Sequence, residues 1–175
     1  MCDYCGCRES GPTRELHLEH ERLLALDSLL YDARAAGDEE PPEFAEFVEL
    51  LTMHAAKEEI GLFIEAKAST PMGEAIDALC QEHTWLAEWL AGGFEGARLY
   101  DALHLLVTHI DDEEFGLFPH IIHALDPEQW DEIELAHRAI DQEWGVTPHS
   151  HPHSHDHGHP HDHDHPHDHD HREHP

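Results

Sequence analysis

The sequence has few basic residues. Lysine and arginine together number 9 of 175 residues, against 39 aspartates and glutamates, and the formal net charge is −30 with histidine neutral. A surface this acidic repels phosphate backbones and anionic lipid headgroups. We therefore expect neither a nucleic-acid partner nor a membrane partner.

Long apolar runs are also missing from the sequence. None approaches the roughly 20 residues of a membrane-spanning helix, and the first residues, Met-Cys-Asp-Tyr-Cys, do not resemble a signal peptide. We therefore expect a cytoplasmic protein.

Cysteine is scarce, with four residues, three of them close together at Cys2, Cys5 and Cys7. In a cytoplasmic protein, cysteines are more often thiols, metal ligands or redox groups than structural disulfides. The CxxCxC spacing offers three thiolates, one fewer than a tetrahedral metal site requires. We assign residues 1–11 as a separate cysteine-rich segment and an accessory metal-binding candidate.

The last part of the chain contains no apolar residue after Pro148, so residues 147–175 should be disordered. Imidazoles at the density found here bind Ni or Zn. We favour metal binding over a tail that only adds solubility. The thirteen histidines of this tail are His149, His151, His153, His155, His157, His159, His161, His163, His165, His167, His169, His171 and His174.

Apolar residues at three- and four-residue steps predict helices through the domain at residues 12–146. Short connections between long helices predict an all-α, up-down-up-down four-helix bundle with a short fifth helix. The predicted helices span residues 12–36, 43–68, 70–92, 98–119 and 127–143. Thr70 is predicted to be the N-cap of the third helix, with Pro71 in its first turn, and Pro119 to interrupt or kink the fourth.

A ten-residue phrase occurs twice, at residues 54–63 and 109–118. Each copy has a histidine and a glutamate four residues apart and therefore on one helix face. Each copy follows a helix that carries a single histidine on its apolar face. Buried carboxylates are rare unless they are paired or bind metal. The pattern predicts two metal ions bound in the core by His20, His54, Glu58, His83, His109 and Glu113. Six N and O ligands favour Fe or Mn over structural zinc, with the two glutamates as bridges.

The order H, HxxxE, H, HxxxE resembles the hemerythrin family, specifically its bacterial HHE cation-binding branch, over about residues 13–125. The resemblance implies a four-helix bundle around a non-haem di-iron centre, bridged by two carboxylates and an oxo or hydroxo group. It also implies that His20 and His54 bind one iron, and His83 and His109 the other.

The sequence departs from the oxygen-carrying hemerythrins at two positions. Ala87 stands where they have a second helix-3 histidine, and the helix-4 carboxylate is Glu113 rather than an aspartate. The missing ligand argues against simple oxygen transport and leaves a position for a small ligand or another side chain. His17, one turn before His20, is either that substitute ligand or a boundary histidine.

Other polar residues near the motif are predicted to have lesser roles. Glu59 and Glu114 are solvated or orient the ligand imidazoles, and Cys80 either lines the site or is a small core residue. The histidines predicted to be on the surface are His104, His120, His123 and His137.

The resulting hypothesis is a di-iron protein that binds O2, NO or peroxide for sensing, scavenging or storage. The alternative is storage or trafficking of Fe, Ni or Zn without redox chemistry. The sequence identifies no catalytic acid or base outside the ligand set, so we favour a binding protein over an enzyme. A peroxide-consuming enzyme is the alternative.

The division of the chain can be tested by deleting residues 149–175. We expect the deletion to remove most Ni(II) or Zn(II) uptake, because the tail imidazoles are lost, and to leave the iron of the bundle unchanged. Metal analysis of the two proteins after equilibration with each ion gives the comparison. An equal loss of iron and nickel would show that the tail and the bundle are not separate sites.

Overall fold

The computed structural model describes residues 11–146, and this part of the chain is helical, with no strand. The elements are α1 (Gly11–Ala36), α2 (Glu43–Lys57), π1 (Glu58–Leu62), α3 (Phe63–Ser69), α4 (Gly73–Leu90), α5 (Leu99–Asp111), π2 (Asp112–Leu117), α6 (Phe118–Ile121) and α7 (Pro127–Glu143). The predicted cysteine segment and histidine tail lie outside the described residues. No helix in residues 11–146 combines the length and apolar character needed to span a bilayer.

The helices pack as neighbouring antiparallel pairs. Helix α1 contacts α2 and α5, and α4 contacts α5, α2 and α3. Residue numbers run in opposite directions across these contacts, since Arg22 pairs with Glu46 whereas Glu15 pairs with Lys57. The all-helical prediction is therefore confirmed, and the contacts between neighbouring helices favour a helical bundle.

The apolar core has two parts. One cluster contains Leu23 and Leu51, and the other contains Leu16 and Leu62. Helix α1 therefore contributes to both clusters, and so does the continuous helical segment formed by α2 and π1. Between the two clusters, the same faces carry the histidines and glutamates of the repeated phrase. The bundle therefore holds a polar layer between two layers of apolar side chains.

The second and fourth predicted helices each contain a π-helical segment where a continuous α-helix was expected. In π1 the N–H of Phe63 donates to the carbonyl of Glu58, and in π2 the N–H of Phe118 donates to the carbonyl of Glu113. Both are hydrogen bonds to the fifth residue back, as in the π-bulges found at many functional sites. The local turn is therefore widest where the repeated glutamates lie.

Pro119 was predicted to interrupt or kink the fourth helix, and it does not interrupt it. The α-helical pattern changes already at Asp112, and the chain stays helical through Pro119 to Ile121. The first copy contains the same kind of π segment with Ile64 at the position of Pro119. The proline is therefore not required for the interruption, and it occupies the first turn of α6 instead.

The third predicted helix begins later than expected. Thr70 ends α3, because its hydroxyl donates to the carbonyl of Ala66 at 2.7 Å and its backbone is extended. Helix α4 starts at Gly73, after Met72, so the assignment of Thr70 as its N-cap is wrong. A threonine hydroxyl can bond to the preceding turn as readily as to the following one.

Helix α7 has the bounds predicted for it and begins with a capping box formed by Asp126 and Gln129. It packs on α1, α2 and π1. This docking buries His137, whose imidazole Nδ1 lies 3.0 Å from Glu15 Oε2. The prediction that His137 is on the surface is therefore wrong, whereas His104, His120 and His123 are exposed as predicted.

The covering of π1 by α7 can be tested at two corresponding glycines. A Cβ at Gly61 would lie 3.1 Å from Cδ2 of the buried His137, whereas one at Gly116 would meet nothing within 4 Å. We expect Gly61→Ala to lower the free energy of unfolding by about 1–3 kcal/mol, because His137 is held by Glu15 and cannot move aside.

The matched control is Gly116→Ala, which should be neutral or stabilising by up to roughly 1 kcal/mol. Urea denaturation of both variants at equal metal content measures the difference. Equal losses of stability would contradict the asymmetric position of α7.

Candidate metal centre

The structure brings the six predicted ligands together in the polar layer. Each histidine comes from a different long helix, and each glutamate is in a π segment directly after one of them. All six side chains are buried. They form two groups that could each hold a metal ion, His20, His54, Glu58 and Glu113 in one and Glu58, His83, His109 and Glu113 in the other.

The four imidazoles form two facing pairs. The Nε2 atoms of His20 and His54 lie 2.9 Å apart, and those of His83 and His109 are separated by the same distance. Both pairs have their rings at about 64° and 63°, with centroids 4.6 Å apart. The two halves of the site therefore have almost the same geometry.

Each glutamate lies between the two imidazole pairs. For Glu58, Oε1 is 3.4 Å from His54 Nε2 and Oε2 is 3.2 Å from His83 Nε2. For Glu113, Oε2 is 3.1 Å from His20 Nε2 and Oε1 is 3.4 Å from His109 Nε2. Each carboxylate thus presents one oxygen to each pair, which is the arrangement of a bridging ligand.

The outer nitrogen of every imidazole contacts a further carboxylate. His20 Nδ1 is 2.9 Å from Glu114, and His83 Nδ1 is 2.9 Å from Glu59. The corresponding distances are 2.8 Å from His54 Nδ1 to Glu19 and 2.8 Å from His109 Nδ1 to Glu82. An ionised carboxylate only accepts hydrogen bonds, so each Nδ1 carries the proton.

The interior of the site is therefore rich in acceptors. In the neutral imidazoles each Nε2 has a lone pair, and no oxygen of Glu58 or Glu113 has a hydrogen-bond partner of good geometry within residues 11–146. Buried acceptors without donors are costly unless a cation compensates for them. A pair of metal ions therefore fits the donor set and its arrangement.

A family model for the hemerythrin HHE cation-binding domain matches residues 11–121. The chain belongs to the hemerythrin family. The matched span runs from the first residue of α1 to the last residue of α6 and includes all six candidate ligands, but not α7. No match to the chain was found among curated proteins or among solved structures.

The outer carboxylates repeat between the two halves of the hemerythrin domain. Glu19 precedes His20 and holds His54, as Glu82 precedes His83 and holds His109. Glu59 and Glu114 each hold the imidazole of the opposite half, so the orienting role considered for these two residues is the one observed. Such contacts fix the tautomer and ring orientation of a metal-binding histidine.

Sequence reasoning missed Glu19 and Glu82. The signal for them was present, because in both halves a Glu-His pair lies on the helix that precedes the HxxxE phrase. A glutamate on a neighbouring helix face can reach across to the partner helix, which sequence spacing along one helix does not reveal.

In the absence of a metal ion, the surroundings of the first imidazole pair favour a positive charge on His20 and disfavour one on His54. Burial disfavours the charge on His20, but the Glu113 and Glu114 carboxylates outweigh this effect and raise its pKa to about 10. Burial and the charge on His20 lower the pKa of His54 well below its usual range. Burial, reinforced by the Glu113 carboxylate, raises the pKa of Glu58. The buried groups thus resist becoming charged together without a cation between them.

A second buried cluster adjoins one half of the site. The ammonium group of Lys57 is buried and contacts carboxylates of Glu15, Glu19 and Asp141, the last at 2.8 Å. Burial disfavours ionisation of Glu15, but hydrogen bonds from His137 and Lys57 outweigh it and lower the pKa of Glu15 to about 2. Lys57 therefore joins α2 to α1 and α7, a role that sequence reasoning did not predict.

His17 and Cys80 occupy corresponding positions in the two halves, each one turn before a candidate ligand. His17 Nδ1 lies 2.9 Å from the same Glu114 oxygen that holds His20, and His17 is in neither four-residue group. Cys80 is half-buried, and burial raises the pKa of its thiol. His17 therefore borders the site from outside the ligand set, whereas Cys80 packs against the apolar cluster that contains Leu16 and Leu62.

The orienting role of Glu82 can be tested by Glu82→Gln. The amide is a weaker acceptor for the Nδ1–H of His109, and we expect Fe(II) affinity to fall about 10- to 100-fold. Anaerobic competition with a chromophoric chelator measures this affinity. Glu88→Gln, at an exposed position on the same helix, is the control and should bind Fe(II) like the wild type. An affinity unchanged in both variants would remove the orienting role.

Proposed function

We propose that this hemerythrin-domain protein holds two iron ions and binds O2 or a related small ligand, NO or peroxide, for sensing, scavenging or storage. The observation that carries the proposal is the position of Glu58 and Glu113. Each turns one carboxylate oxygen toward each imidazole pair, with no hydrogen-bond donor of good geometry in the described residues to satisfy it.

The donor set supports iron over a structural zinc ion. Each of the two groups has two imidazole nitrogens and two carboxylate groups. Four N and O donors of this kind suit an ion that favours six ligands, and they leave coordination positions for an external molecule. When bound, a pair of ferrous ions supplies the electrons for O2 or peroxide chemistry.

The protein's own residues orient the imidazoles and exclude water. Glu114, Glu19, Glu59 and Glu82 hold the four outer nitrogens. Phe118 stacks on His20 with centroids 5.7 Å apart, and Phe63 stacks on His83 at 6.0 Å. These two phenylalanines end the two copies of the repeated phrase. The phrase thus supplies a histidine, a bridging carboxylate, an orienting carboxylate and an aromatic cover.

Storage or trafficking of metal without redox chemistry is the second candidate function. The thirteen histidines of residues 149–175 favour it, because a dense imidazole tract binds divalent ions with no need for a folded site. In that case the bundle would hold its ions without reaction toward O2.

Anaerobic loading with Fe(II) followed by exposure to air separates these functions. Using the chain without residues 149–175, we expect two iron ions per chain. Visible ligand-to-iron charge-transfer absorption should then appear on exposure to O2. Two bound ions with no change in the spectrum would overturn the redox proposal and favour storage.

Variants of the same protein test the ligands themselves. His54→Ala and Glu58→Ala should each lose bound iron and the absorption, because each removes a donor from the centre. His104→Ala and Glu88→Ala, at exposed positions, are matched controls and should retain both. Full iron content in the first two variants would show that the iron is bound elsewhere.

A further inference from the structure

An open groove of about 510 Å³ runs between α2 and α4 and reaches one side of the candidate centre. Its lining includes Ala55, Ala87 and Ala91 together with the ligand His83 and its carboxylate partner Glu59. Ala87 is exposed, and the Glu59 side chain is 43% exposed. The groove therefore connects solvent with the edge of the centre at His83.

Thr52 and Thr84 also line this groove, but their hydroxyls are engaged elsewhere. Thr52 donates to the carbonyl of Val48 at 2.7 Å, and Thr84 donates to that of Cys80 at 3.2 Å. The groove wall is otherwise built of alanine, valine and leucine. The charged group at its inner end is the Glu59 carboxylate. Such a path favours uncharged molecules and disfavours anions.

The corresponding surface in the other half, between α5 and α1, carries larger side chains. Ile110 takes the position of Ala55, and Leu24 takes that of Ala87. Ile110 is buried, and the side chain of Glu114, which corresponds to Glu59, is 7% exposed. The two halves therefore match in their ligands but differ in access from solvent.

We propose that the α2–α4 groove is the entry route for the small ligand and admits uncharged diatomic molecules of the O2 and NO class. This proposal rests on the proposed function. Ala55 and Ala87 set its width, since both are alanine here and both are replaced by four-carbon side chains in the other half. The ligand therefore reaches the metal position of His83 and His109, and not that of His20 and His54.

The first test measures NO association with the anaerobic, Fe(II)-loaded full chain by stopped flow. Filling the groove with the residues of the other half, Ala55→Ile with Ala87→Leu, should slow association about tenfold. Dissociation should slow by a similar factor, because a narrowed path delays passage both ways, and iron content should not change. Ala87→Leu alone, at an exposed position, should give a smaller decrease. Ala45→Leu, on the exposed face of α2, is the control.

The second test uses the wild-type chain loaded with Zn(II), which does not react with O2. Dissolved O2 enhances the NMR relaxation of the methyl protons that it approaches. We expect a stronger enhancement at the Ala55 methyl than at the methyls of the corresponding Ile110. This readout needs neither iron nor a variant.

The outcomes separate the groove from the function on which it rests. Unchanged NO association in the filled variants, or equal O2 enhancement at Ala55 and Ile110, would overturn the entry route while leaving the di-iron proposal intact. Wild-type protein that holds two iron ions but reacts with none of O2, NO and peroxide would overturn the proposed function, and with it the groove's role as an entry route.

Discussion

The fold depends on the burial of a cluster of acceptors in the middle of the bundle. Two carboxylates and four imidazole nitrogens face one another between two apolar layers. Removing ionised groups from water costs several kcal/mol for each ion unless opposite charge is close. The outer carboxylates hold every imidazole in a fixed orientation, and the π segments place the two glutamates at the centre. Bound cations would offset this cost, because they would place positive charge beside the buried carboxylates.

Internal repetition explains how so short a sequence builds this cluster. Each half contributes a Glu-His pair, an HxxxE phrase and a following phenylalanine. In each half one outer carboxylate holds an imidazole of the same half and another holds an imidazole of the other half. The differences between the halves lie outside this set. Helix α7 covers Gly61 but not Gly116, and the alanines of the α2–α4 groove are replaced by Leu24 and Ile110 on the other side.

The sequence was sufficient for the helices, the six candidate ligands and the family, because carboxylates on apolar helix faces are rarely buried unless they are paired or bind metal. The sequence was insufficient for features that depend on which helix faces pack against each other. Nothing local marks His137 as buried, since its burial follows from the docking of α7 on π1. The π segments were missed because a regular α-helix, with 3.6 residues per turn, was assumed to continue past Glu58 and Glu113. Thr70 was misassigned because its hydroxyl can either donate to a carbonyl of the preceding turn or accept from an N–H of the following one.

Lys57 makes the surroundings of the two halves of the candidate centre unequal in charge. Its ammonium group contacts Glu19, the carboxylate that also holds the outer nitrogen of His54. In the other half Asp112 takes the position of Lys57, and Glu82 holds His109. A carboxylate shared with a cation is the weaker acceptor for an imidazole N–H, so Glu19 holds His54 less strongly than Glu82 holds His109. The side of the candidate centre at His83 and His109 therefore differs from the other side in two respects, because Asp112 replaces the lysine and the open groove reaches His83.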